Sequence, residues 1–158
     1  MTWSTVRGAA MALERRTVIA ATPDQVWAPL TDPETMPRWL PDVERVVITS
    51  ARRVGPEVRR TVYYRGGRQT DEEVLTWHPG ESYAYTILRG LPFWTHRATF
   101  TLAPGVRNGQ TEVVWAVRFE AAIPDRQLAP LTAHLEAAMA DGLANLKRLI
   151  EQTQASPA

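Results

Sequence analysis

The chain has 158 residues, of which 44% are hydrophobic and 22% charged, and its formal net charge is +1. A chain of this length forms one domain and buries roughly 70% of the surface that its unfolded form exposes. The near-neutral charge argues against a nucleic-acid-binding surface, and the absence of cysteine excludes disulfides, thiolate nucleophiles and Cys-ligated metal centres.

Neither end of the sequence resembles a targeting or membrane segment. No stretch approaches the roughly 18 uninterrupted apolar residues of a membrane span, and the N-terminal residues lack the apolar core of a secretory signal. We therefore expect a cytoplasmic protein with no integral membrane association. Because strand-like sequence begins after Met11, we predict a flexible extension over residues 1–11, a single domain over 12–153 and a disordered tail over 154–158.

The first elements are one strand and two short helices. Residues 13–21 have the composition of a strand, and Thr22-Pro23-Asp24-Gln25 is a helix-start signal with a capping-box pattern. The first helix ends near Asp32-Pro33. A second short helix is predicted over residues 34–40, before Pro41.

Six strands and one long helix follow. Regular spacing and tight-turn pairs such as Gly66-Gly67 and Asn108-Gly109 indicate an antiparallel meander. After Pro124-Asp125, one helix is predicted to continue to about Thr153. The six strands are predicted over residues 43–52, 57–65, 68–77, 82–89, 94–103 and 111–121.

The element order predicts an α+β fold in which a seven-stranded, curved antiparallel sheet grips the long C-terminal helix. A single helix covers only part of such a sheet, so the sheet must curl around it. Gly142 and Thr132 interrupt the apolar stripe of this helix: either they serve local packing, or they leave room for a ligand. The stripe is formed by Leu128, Leu131, Leu135, Met139, Gly142, Leu143, Leu146, Leu149 and Ile150.

A two-residue turn at Gly66-Gly67 would place Arg60 opposite Glu73 on the inner face of the sheet. A buried arginine is costly unless it is paired, and Glu73 is the predicted partner. Two interpretations stand: a structural ion pair, or an Arg60 that orients a ligand carboxylate, enol or carbonyl. His96 is likewise either a packed histidine or a catalytic one. The three histidines have no metal-ligand spacing, so we expect no metal and no cofactor.

Residues 19–46 resemble the opening of the polyketide cyclase/dehydrase and lipid-transport families, which belong to the START-like, helix-grip (SRPBCC) superfamily. The later segments 55–85 and 113–121, followed by a long helix, are similar to that family's strand, turn and closing motifs. The matching positions in the first segment are Ala20-Ala21, Pro23, Val26-Trp27, Asp32-Pro33, Pro37, Trp39 and Pro41.

The resemblance implies a hydrophobic cavity between the sheet and the long helix. Trp27 is then an anchor of the first helix, whereas Trp39 and Leu91-Pro92-Phe93-Trp94 are rim or gate residues, or ordinary packing. Arg60 and His96 become the catalytic candidates. The expected cavity residues are Trp39, Tyr64, Glu73, Tyr83, Tyr85, Phe100, Trp115, Thr132, Leu135, Met139 and Leu143.

Three functions remain open at this point. The first is binding, and with it transport, of a lipid-like or polycyclic hydrophobic small molecule. The second is a polyketide aromatase/cyclase or dehydratase, in which Arg60 stabilises an enolate and His96 or a tyrosine moves the proton. The third is a protein-interaction module with a collapsed cavity. The expected partner is a hydrophobic small molecule and not nucleic acid, and the oligomeric state is left open.

Overall fold

Seven antiparallel strands form one sheet in the computed structural model, which describes residues 10–155. Across the sheet, each strand from the second onward lies beside the next one along the chain, and the first strand pairs with the last. The predicted meander is therefore confirmed. The strands are β1 (Ala10–Ile19), β2 (Val43–Ile48), β3 (Arg59–Tyr64), β4 (Gln69–His78), β5 (Ser82–Arg89), β6 (Phe93–Pro104) and β7 (Thr111–Ala121).

Within residues 10–155, two α-helices accompany the sheet, α1 (Pro23–Thr31) and α2 (Asp125–Ala155). The predicted capping box opens α1: the Gln25 backbone N–H donates to the Thr22 hydroxyl at 3.3 Å, and the Thr22 N–H donates to Gln25 Oε1 at 2.9 Å. The second predicted short helix, over residues 34–40, is only a 3₁₀ turn, Met36–Arg38. A proline at its centre lacks the N–H that a longer helix would use.

The long helix α2 packs its buried face on the concave side of the sheet, as the apolar stripe predicts. Met139, Gly142, Leu143, Leu146 and Ile150 are its buried residues. At Gly142 an added Cβ would lie 3.3 Å from the Trp115 ring and 3.5 Å from Pro41. An alanine at this position would require the Trp115 ring to move by a few tenths of an ångström, so glycine suits the close packing. The fold class predicted from the sequence is confirmed.

The predicted domain boundaries need two corrections. Ala10 and Met11 are not part of an extension, because they pair with Glu120 and Phe119 of β7. Gln154 and Ala155 are not part of a tail, because they belong to α2. Residues 1–9, with Trp3, and residues 156–158 lie outside the described residues.

No helix within residues 10–155 is both long enough and apolar enough to cross a lipid bilayer.

Candidate functional site

A cavity of about 130 Å³ lies between the concave face of the sheet and α2. Arg60 of β3 and His96 of β6 both line it. Eight other residues expected at the site also line it: Trp39, Tyr64, Tyr83, Tyr85, Phe100, Trp115, Leu135 and Met139. The structure thus brings together the aromatic strand residues and the first half of α2.

Three expected cavity residues lie elsewhere. Leu143 is buried in the core rather than at the cavity. Thr132 does not line the cavity, and within residues 10–155 its buried hydroxyl has no hydrogen-bond partner. Glu73 lies on the other face of the sheet, where its carboxylate accepts a hydrogen bond from Arg59 Nε at 2.7 Å.

The position of Glu73 follows from a one-residue error in the predicted register. The β3–β4 turn has three residues rather than two, since Tyr64 and Arg68 still pair through an N–H···O bond of 2.8 Å. Gly66 and Gly67 in this turn both have a φ of +91°, a backbone conformation in which a residue with a side chain would be strained. Each residue of β4 therefore pairs with β3 one position earlier than predicted: Glu73 faces Arg59, and Arg60 faces Glu72 instead of Glu73. With two adjacent glutamates, the sequence offers no signal that selects between them.

Arg60 and Glu72 form a buried ion pair at one end of the cavity. Arg60 Nε donates to Glu72 Oε1 at 2.9 Å, and the two side chains are 7% and 6% exposed. The guanidinium also lies over the rings of Tyr85 and Tyr83, at 5.2 and 5.8 Å from their centroids. Burial acts most strongly and lowers the pKa of Arg60, but the Glu72 carboxylate together with Tyr83 and Tyr85 outweighs it, and the pKa is raised. Arg60 therefore stays charged, and its charge is balanced.

The tyrosines around this ion pair are neutral hydrogen-bonding groups. Burial raises the pKa of Tyr83 and, more strongly, that of Tyr85. The polar end of the cavity thus presents phenols and a balanced ion pair, with no net charge. Within residues 10–155, no three His, Asp or Glu side chains gather as metal ligands.

His96 lies where β5 and β6 separate. Backbone pairing of the two strands runs from Ser82 only as far as Tyr85, which faces Ala98. Beyond that point, the Ile87 N–H donates to His96 Nδ1 at 3.1 Å, and the Thr86 hydroxyl donates to the His96 carbonyl at 2.6 Å. Hydrogen bonds of the His96 and Thr86 side chains thus take the place of backbone–backbone pairing between the two strands. With Nδ1 accepting, the neutral ring carries its proton on Nε2.

Burial lowers the pKa of His96 to about 4. Its ordinary value of about 6.5 applies in the unfolded chain. Between these two pH values the unfolded chain binds a proton that the folded chain does not, so the contribution of His96 to stability is lost as the pH falls.

We expect this loss to reach at most about 1.4 kcal/mol per pH unit. Urea unfolding of the parent and of His96→Gln, which keeps an acceptor but does not titrate, measures it from pH 7 to pH 4. The parent should lose stability more steeply. Parallel curves for the two proteins would contradict the burial of a neutral imidazole at this position.

The loop between β5 and β6 forms part of the cavity rim. Leu91 and Phe93 line the cavity, as expected for rim residues. Trp94 does not line it and is 64% exposed. The stacked rings of Tyr83, Tyr85, Phe100 and Trp115 form an aromatic wall of the cavity. Trp27 packs edge-on against Trp77, with ring centroids 5.0 Å apart, and edge-on against Tyr83 of this wall.

Comparison with known proteins extends this description. The family model described as "Polyketide cyclase / dehydrase and lipid transport" matches residues 11–151. An uncharacterized protein of Mycobacterium tuberculosis (strain ATCC 25618 / H37Rv) is 41% identical over 68 residues, which are 42% of this chain and 41% of that protein. The match to this curated relative thus spans about two fifths of its length.

Solved structures with the same fold cover nearly the whole chain. The Zhui aromatase/cyclase from Streptomyces sp. R1128 is 19% identical, with a TM-score of 0.78 over 92% of this chain and 96% of that one. The protein XoxI from Bacillus cereus is 20% identical, with a TM-score of 0.76 over 90% and 97%. At these identities the likeness shows the fold.

Proposed function

The chain belongs to the polyketide cyclase/dehydrase and lipid transport family, and from that membership we propose that its cavity binds an uncharged, largely apolar small molecule that carries an oxygen. The observation that carries the proposal is the buried Arg60–Glu72 pair under an aromatic wall. The ligand oxygen is placed at this polar end, and its rings or chain lie against the aromatic residues.

The charge balance of the cavity selects against ionised ligands. A ligand carboxylate would have to leave water for a cavity in which the Arg60 guanidinium is already neutralised by Glu72. A neutral hydroxyl or carbonyl loses less hydration free energy when it moves from water into the cavity. It still gains hydrogen bonds from the guanidinium amino groups that Glu72 does not use, or from the phenols of Tyr83 and Tyr85.

The cavity volume limits how much of the ligand is enclosed. An apolar protein cavity of roughly 150 Å³ binds benzene, so about 130 Å³ encloses one ring or a short chain. Larger lipid-like or polycyclic ligands extend past the rim at Leu91 and Phe93. Because the interior is hollow, a protein-interaction module with a collapsed cavity has no support.

His96 favours binding over catalysis. A general base needs a free lone pair near the reacting proton, but Nδ1 accepts the Ile87 N–H and Nε2 carries the ring proton. A pKa of about 4 also leaves His96 neutral at pH 7, so no imidazolium is present there to act as a general acid. In this state His96 offers the ligand a hydrogen-bond donor.

The alternative is an aromatase/cyclase or dehydratase that uses the same cavity. The position of Arg60 beside Tyr83 and Tyr85 favours it, since a guanidinium stabilises an enolate and a phenol transfers a proton. In that mechanism a tyrosine replaces His96 in the proton transfer, and Arg60 remains the electrostatic group.

The proposal is tested by comparing 2-naphthol with 2-naphthoate, which have the same rings but differ in charge. Calorimetric titration at pH 7 should show naphthol binding at least about 10-fold more tightly, a difference of about 1.4 kcal/mol. The preference should shrink in Glu72→Gln, which removes the charge that balances Arg60. Equal affinities, or tighter binding of naphthoate by the parent protein, would exclude a neutral-ligand cavity.

A further inference from the structure

We propose that the Arg60–Glu72 pair divides the interior into two chambers, and that the second chamber binds a separate, one-ring neutral alcohol or phenol. The first chamber is the cavity described above. The second chamber has a volume of about 220 Å³ and lies behind the pair, under the loop of residues 53–55. Its apolar walls are Pro33, Ile48, Val54, Val58, Val74 and Trp77.

The division follows the inner faces of β3 and β4. Val62 and Glu72 line the first chamber, whereas Val58 and Val74 line the second. Arg60 lines both. Since Val58, Arg60 and Val62 alternate on one face of the strand, the arginine stands between the chambers as a polar partition.

The chemistry of the second chamber indicates an oxygen-bearing apolar guest. Arg60 is 6% exposed and lies at the inner end of this chamber. Nε is used by Glu72, and the terminal amino groups are separate donors of the same guanidinium. A hydroxyl directed at them would leave the aromatic ring among valines and Trp77. Asp32 and Arg53 also line the chamber, and with Glu72 neutralising Arg60 the charges around it balance, which disfavours an ionised guest.

The second chamber has its own opening to solvent. A surface groove lined by Glu34, Val46 and Val47 shares Asp32, Pro33, Ile48 and Arg53 with it, and Val54 on its rim is 66% exposed, from which we infer that the chamber opens on the β2 side of the protein. The loop above is held by its own bonds: Arg53 Nη1 donates to the Ile48 carbonyl and Arg52 Nη1 to the Pro56 carbonyl, each at 3.2 Å. These two bonds restrain the loop, which lowers the entropy cost of ordering it around a bound molecule.

Matched substitutions on either side of Arg60 test the proposal. Val58 and Val62 are both 3% exposed and lie two residues before and after the arginine. Phenylalanine at position 58 should fill the second chamber, and phenylalanine at position 62 the first. The probe is 4-fluorophenol, followed by ¹⁹F NMR, with 4-bromophenol soaked into crystals to locate the bound molecules.

The parent protein should bind two molecules of probe per chain. Val58→Phe should lose the site under residues 53–55 and keep the other, and Val62→Phe should do the reverse, each weakening its own site at least 10-fold. Because overpacking costs about 1–3 kcal/mol, Val58→Leu and Val62→Leu provide milder versions of both. A single bound probe that survives Val58→Phe and disappears in Val62→Phe would overturn the second chamber and leave the first intact. No bound probe under residues 53–55 at millimolar concentration would also overturn it.

Discussion

Replacing Glu72 with leucine is expected to lower the free energy of unfolding by about 3–5 kcal/mol, because it leaves the Arg60 charge buried without a partner. Arg60 is 6% and Glu72 5% exposed, so water that enters through the cavities replaces the lost carboxylate only in part. Chemical denaturation at pH 7 measures the change. Such a loss is a large fraction of the stability of a small domain.

Two further variants separate this effect from a general effect of removing charge. Glu73→Leu disrupts the neighbouring ion pair, whose arginine side chain is 62% exposed, and should cost no more than about 1 kcal/mol. The double variant Arg60→Met/Glu72→Leu replaces both buried charges with apolar groups and should recover most of the loss. If Glu72→Leu and Glu73→Leu had equal effects, the register described for β3 and β4 would be wrong.

Replacing Gly90 with alanine is expected to cost about 2–5 kcal/mol, from two sources. Gly90 has a φ of +103°, which strains any residue with a Cβ by roughly 1–2 kcal/mol. The added methyl group would also overlap the Gln69 carbonyl oxygen and lie 2.9 Å from Thr70 Cα, both backbone atoms of the neighbouring strand. The β5–β6 loop must then move, and overpacking of this kind adds about 1–3 kcal/mol.

Gly67→Ala is the matched control for Gly90→Ala. Its φ is +91°, but no atom lies within 4 Å of the added Cβ, so only the backbone strain applies. Thermal unfolding of the two variants should differ by several degrees, with Gly90→Ala the less stable. Equal losses would mean that the β5–β6 loop does not pack against β4. Because that loop carries Leu91 and leads into Phe93 at the start of β6, Gly90→Ala should also weaken naphthol binding.

The order of elements could be predicted from the sequence because its signals are local. The Thr22 capping box, the stripe on α2 and the turn pairs each depend on a few neighbouring residues, and each is present in the structure. The aromatic wall followed as well, since alternation within a strand places Tyr83 and Tyr85 on one face regardless of their partners.

The identity of the carboxylate beside Arg60 could not be predicted with the same security. It depends on the length of one turn, and Gly66-Gly67 is compatible with both two and three loop residues. The hydrogen bond by which His96 replaces backbone pairing could not be predicted from the sequence either, because no pattern of neighbouring residues indicates where two strands separate. The second chamber depends on how the β2–β3 loop and α1 lie over β3, which is a tertiary relationship.

The separation of β5 from β6 has a consequence for the range of guests. In a continuous ladder, several backbone hydrogen bonds would together resist separation of the two strands. Past Tyr85 and Ala98, the contact described above is one amide–imidazole bond and one hydroxyl–carbonyl bond. Each contributes on the order of 1 kcal/mol. We therefore expect the cavity wall to yield first along this line when a bulkier guest binds.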